Sequence, residues 1–150
     1  MYGPPAVVTA CAERKHLTSI ANSVLTETLA GTVLSRSADY VADYGRLCAE
    51  GLTLLRDWVD RHADRVRLVP PEGTPFAWLW LDTGEPSLSY CRRVLDTGVL
   101  LMPGETFGAR GGFRLTFARG LDVLADGLRR AGDVLAEPAP HPIPANGATR

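Results

Sequence analysis

Lysine is nearly absent: Lys15 is the single one among 16 basic residues. It follows Arg14 and precedes His16 at a helix end, a setting for a surface lysine, since lysine is rarely buried. The three histidines and three cysteines are scattered, and no two stand at the spacing of metal ligands, which argues against a zinc site. Cys11, Cys48 and Cys91 are odd in number and far apart, so three free thiols in a reducing cytoplasm are expected. Excess charge is missing too. A net charge of -1 gives no electrostatic case for binding nucleic acid or an anionic membrane. No apolar run is long enough to span a bilayer, the N-terminus does not read as a signal peptide, and there is no internal repeat.

What is present reads as a folded domain. The length of 150 residues and 45% hydrophobic content allow one sizeable core. Pro5 suits a first helical position, so a helix is expected from there. Residues 16 to 23, HLTSIANS, form a polar turn in which Ser19, Asn22 or Ser23 can cap a second helix running from Val24 to Leu34. Ser35 or Ser37 then caps the longest helix, ending near Asp64. Its apolar stripe is Tyr40, Tyr44, Leu47, Cys48, Gly51, Leu54, Leu55, Trp58 and His62, at three- and four-residue steps. On this face His62 reads as packed or capping.

From Arg65 the period changes to two. Val66 and Leu68 alternate with Arg65 and Arg67, a half-exposed strand. Residues 76 to 81, FAWLWL, are apolar on both faces, so the strand is expected to be covered on both sides or to meet a second subunit. Ser87 is placed to cap a short helix ending at Gly98, and Val99 to Met102 reads as the next strand. Gly104, Gly108, Gly111 and Gly112 suggest a flexible loop whose spacing fits neither GxGxxG nor a phosphate loop. A last helix is expected from Gly120 to Glu137, with Leu121, Leu124, Leu128, Ala131 and Leu135 inward. Pro138 stops it, and the proline-rich tail 138–150 reads as disordered.

The stretch from Gly98 to Ala118 organises the rest. Phe113, Leu115 and Phe117 alternate with Arg114 and Thr116, so an inward apolar face leaves Arg114 on the other side, among small or hydroxylated neighbours. Two readings stand: a solvated arginine on a half-exposed strand, or one fixed by a rigid strand for bidentate capture of a carboxylate or phosphate. Arg110 is a second cation nearby, read as solvated.

Pro103-Gly104, Phe107-Gly108 and Phe113-Arg114-Leu115, following a valine-bearing strand, resemble the C-terminal part of the class I/II pyridoxal-phosphate-dependent aminotransferases. EGTPFAW (72–78) resembles the family's Pro-x-Gly-Gly-x-Phe-x-Trp stretch, with Thr74 in place of a glycine. Tyr2 to Val8 resembles the passage following the cofactor-lysine segment. The resemblance covers Tyr2 to Glu137. It implies an α+β fold: a three- to four-stranded sheet covered by helices, the aminotransferase small domain, preceded by long N-terminal helices. Residues 1–34 would be a remnant of the large domain and 35–137 the linking helix and small domain. It implies pyridoxal 5'-phosphate as cofactor of the complete protein, an amino acid or 2-oxo acid as substrate, transamination through an aldimine, a homodimer, and Arg114 on the substrate α-carboxylate. The lysine segment of the family has no counterpart here, and ERKHLTS around Lys15 does not resemble it, so the expectation is a C-terminal fragment, inactive alone. The alternative is a non-catalytic dimerising module or an aminotransferase-like regulatory domain.

Overall fold

The computed structural model describes residues 2–19 and 21–138; the expected tail from 139 onward lies outside them. Two compact units divide the chain, residues 1–42 and 43–150.

The first unit holds α1 (Pro5–His16), α2 (Val24–Ser35) and the start of α3 (Ser37–Arg61). Pro5 opens α1 as expected. Ser23 precedes α2, but its hydroxyl makes no cap bond. Asn22 instead bonds sideways, accepting from Lys15 Nζ at 3.1 Å and donating to Glu27 Oε1 at 3.3 Å. The expected side-chain cap is therefore absent. None of the residues of α1 or α2 is buried.

The second unit is built on a sheet of four antiparallel strands in the order β1 (Val66–Val69), β2 (Phe76–Leu81), β4 (Gly112–Thr116), β3 (Met102–Pro103). Register puts Val66 opposite Leu81, Leu79 opposite Phe113 and Trp78 opposite Arg114. Alternation then sorts the residues. Val66, Ala77, Leu79, Leu81, Phe113 and Leu115 face one way and are buried against the rest of α3, α4 (Ser87–Asp96) and α5 (Leu121–Ala136). From α3 come Leu55 and Trp58, from α4 Tyr90 and Val94, from α5 Leu124, Leu128, Ala131 and Leu135. This is the expected α+β layer, with the helices on one face of a small sheet.

The details differ at four places. The stripe of α3 is buried only in its C-terminal half, at Gly51, Leu55 and Trp58, whereas Tyr40 and Tyr44 are exposed. Leu121 of the expected α5 stripe is also exposed. The strand expected from Val99 shrinks to Met102–Pro103, because only these residues find β4 as a partner. The glycine-rich loop is not a loose linker: residues Gly104–Phe107 form a 3₁₀ turn closed by Gly108 in the left-handed region (φ 72°).

Arginines close the helix ends. The C-terminal carbonyls of α5 lack partners within the helix, and Arg93 reaches Val134 O at 3.0 Å while Arg65 reaches Leu135 O at 2.9 Å. Arg93 in turn forks onto buried Glu85 (3.2 and 2.8 Å), tying α4, α5 and the 82–86 loop together.

Candidate functional site

The open face of the sheet carries Phe76, Trp78, Trp80, Arg114 and Thr116, the residues that alternation turns away from the core. Arg114 is half-buried; along β4 small Gly112 and hydroxylated Thr116 flank it on this face, as the sequence suggests, and aromatic rings from two other segments join them. Its guanidinium carbon lies 4.5 Å from the ring centroid of Phe76 and 4.8 Å from that of Phe107. Both distances are within cation–π range, where each ring adds about 0.5–1 kcal/mol at an exposed site. Phe107 comes from the 104–107 turn, Phe76 from the first residue of β2. Among the described residues, no carboxylate forms an ion pair with Arg114. Thr116 spends its hydroxyl on Pro75 O at 3.1 Å.

Two glycines make this corner possible. A Cβ on Gly112 would stand 2.7 Å from the indole of Trp78, and one on Gly104 would run into the backbone at Ala109 and Gly112. With both bare, Trp78 lies flat beneath the turn, edge-on to Phe107 with ring centroids 6.0 Å apart. Its Nε1–H is buried and has no partner among the described residues. A groove of about 580 Å³ opens beside Arg114 and runs from Phe76, Met102 and Thr116 to Arg119 and the α5 residues Asp126 and Arg130.

The turn is also held from behind. Ser87 is fully buried at the start of α4; it does not cap that helix, as the sequence suggests, since Pro86 holds the N-cap position. Instead its hydroxyl donates to Glu105 Oε2 at 2.7 Å and accepts from Gly111 N–H at 3.3 Å. Burial alone pushes the Glu105 carboxyl up. Hydrogen bonds from Ser87, from its own N–H and from Leu88 N–H, with the nearby charge of Arg110, outweigh this and hold it below the usual glutamate value. The Leu88 N–H is one of the free donors at the start of α4.

The other singled-out residues lie elsewhere. His62 stacks on Trp58 (4.7 Å between centroids) and its Nδ1 bonds Trp58 O at 2.7 Å, the packed role expected of it. Lys15 and Arg110 are exposed. Among the described residues there is no cluster able to hold a metal ion and no helix long and apolar enough to cross a membrane. The sequence missed Phe76, Phe107 and the Ser87–Glu105 pair. The register that sets Phe76 against Thr116, two residues from Arg114, is made across a 40-residue separation and has no local signal.

No family model and no curated protein matches the chain. Solved structures do. A PLP-dependent aminotransferase from Streptococcus suis superposes with a TM-score of 0.81 at 23% identity, over 89% of this chain and 36% of that one. The chain has the aminotransferase fold. The α-aminoadipate aminotransferase LysN from Thermus thermophilus gives 0.78 at 24% identity, again over 89% and 36%. The PLP-dependent cyclase OrfR gives 0.79 at 25% identity over 89% and 37%. This chain thus spans little more than a third of the length of these aminotransferase-fold proteins. A cyclase among them shows that the fold does not by itself name a reaction.

Proposed function

We propose that this chain contributes the carboxylate-binding wall of a pyridoxal-phosphate-dependent aminotransferase site, with an amino acid or 2-oxo acid as substrate. The carrying observation is Arg114: a strand-fixed guanidinium flanked by two phenyl rings and free of any protein carboxylate among the described residues. Its planar fork matches a carboxylate with two parallel hydrogen bonds, and the rings lying against the guanidinium restrict its orientation. Residues 1–34 stand as the large-domain part, 35–137 as the linking helix and small domain, in a cytoplasmic homodimer.

The chain's residues do not by themselves fit the cofactor. Pyridoxal phosphate supplies an electron sink and requires an anchoring amine, whereas the ammonium of Lys15, the single lysine, is exposed and donates to Asn22 Oδ1. The role proposed here is accordingly binding and orientation of the substrate, with catalysis belonging to the complete protein.

The test is binding of pyruvate, with acetone as the ligand lacking a carboxylate, followed by ligand-observed NMR. Wild type should bind pyruvate and not acetone. Arg114→Leu should lose pyruvate binding by about 30-fold or more, the scale for removing one partner of a hydrogen-bonded charge pair, and Arg114→Lys should fall between. Equal pyruvate binding in wild type and Arg114→Leu would overturn the reading.

A further inference from the structure

Phe107 is held over Arg114 by a turn of four residues, and that turn has few anchors. Ala109 N–H closes it on Gly104 O at 2.9 Å. Trp78 supports it from below. A polar anchor reaches out of the turn: Glu105, two residues before Phe107, bonds Ser87 at 2.7 Å. Ser87 is fully buried and at the start of a helix whose Tyr90, Cys91 and Val94 are in the core, so it is a fixed point. A hydroxyl wholly withdrawn from water must be satisfied internally. It is satisfied on both sides, by Glu105 as acceptor and by the N–H of Gly111 as donor. Gly111 immediately precedes β4, the strand bearing Arg114. One side chain thus ties the turn carrying Phe107 and the entry to the arginine strand to the same helix end.

We propose that Ser87 and Glu105 are positioning residues: their hydrogen bond latches the 104–107 turn to α4 and so keeps Phe107 over Arg114, presetting the carboxylate site. The functional half of this rests on the carboxylate reading of Arg114. The geometric half does not. Neither residue faces the groove beside Arg114; both act through Phe107.

The NMR signals of Arg114 read the geometry directly. Protons of a guanidinium lying over two phenyl rings are shifted by the ring currents, and the signal is assigned by its disappearance in Arg114→Lys. In the 150-residue chain, Phe107→Ala should remove the Phe107 share of that shift. Ser87→Ala and Glu105→Ala should remove most of the same share. Glu105→Gln keeps an oxygen acceptor for the Ser87 hydroxyl and should restore it. Pyruvate dissociation constants should rise about fivefold in Ser87→Ala and Glu105→Ala, corresponding to the loss of one hydrogen bond's worth of ordering. A general loss of stability would lower the melting temperature without selecting the Arg114 signal or being reversed by glutamine. Wild-type Arg114 shifts and wild-type pyruvate affinity in Ser87→Ala and Glu105→Ala, with Phe107→Ala altered, would overturn the latch. Shifts lost in both latch variants without any Arg114-dependent pyruvate binding would support the latch and retire the carboxylate reading.

Discussion

Residues 2–42 and residues 43–138 both contain helices, yet among the described residues only the second region has a core. In α2, Val24, Leu25, Leu29, Val33 and Leu34 are all exposed. The helix is held by its own backbone and by hydroxyls returned to carbonyls of the preceding turn, Thr28 to Val24 and Thr32 to Thr28. In α5 most apolar residues fall on one stripe, and Leu124, Leu128, Ala131 and Leu135 are buried under the sheet, whereas Leu121 and Val123 are exposed. Apolar content alone does not make an interior. An ordered stripe facing a second layer does, because the stabilisation comes from area removed from water and from close packing.

The largest expected contrast lies there. Phe113 is fully buried at the centre of the sheet's inner face, with Tyr90 tilted against it at 5.3 Å. Phe113→Ala should cost about 3–5 kcal/mol of unfolding free energy. Leu29→Ala should stay within about 0.5 kcal/mol, as surface substitutions do. Urea titration of both variants checks the pair. A loss at Leu29 close to that at Phe113 would mean that α2 belongs to the same cooperative core.

Glycine separates the two regions again, with opposite signs. Gly112 accommodates the indole of Trp78, and a methyl there would stand 2.7 Å from it. Gly112→Ala should destabilise by about 1–3 kcal/mol, the range for overpacking. Gly31 lies inside α2 with nothing within 4 Å of a Cβ. Gly31→Ala should strengthen the helix by about 0.5–1 kcal/mol, seen as increased helicity by circular dichroism. Loss of helicity in Gly31→Ala would show that α2 packs against something in solution.

The sequence showed what periodicity can show. Alternation at Phe113, Leu115 and Phe117 placed Arg114 on the opposite face, and the stripes of α3 and α5 marked Leu55, Trp58, Leu124, Leu128, Ala131 and Leu135 of the core. It did not show what crosses the fold. Val99 to Leu101 have strand-like composition but no partner. Ser87 has the chemistry of an N-cap and the position of the first helical residue, and its hydroxyl goes to Glu105 across 18 residues. The four glycines of 104–112 read as flexibility. Two of them are instead small because Trp78 and the backbone occupy the space, and Gly108 and Gly111 adopt positive φ. Chain-distant partners decided each of these, and composition carries no record of them.

Acid offers the finest test, because the second region contains a carboxylate whose ionised form is buttressed across elements. Glu105 is held below the ordinary value of 4.5 by Ser87, two backbone N–H groups and Arg110, against the opposing push of burial. A carboxyl with a lowered folded-state pKa binds fewer protons folded than unfolded. Its contribution is therefore complete above the unfolded value and disappears as pH falls through the folded one. Asp82 and Asp126 are lowered in the same way by Arg67 and by Arg130 with Arg129, so acid weakens wild type through several groups. Comparing wild type with Glu105→Gln at each pH cancels those shared contributions. The stability difference in favour of wild type should be steady at neutral pH and shrink below about pH 4.5. The ring-current share of Phe107 at Arg114 should stay level over the same range in both proteins, because a protonated Glu105, like glutamine, keeps an oxygen acceptor for the Ser87 hydroxyl. A difference that does not change between pH 7 and pH 3 would mean that the carboxylate is not held in its charged form.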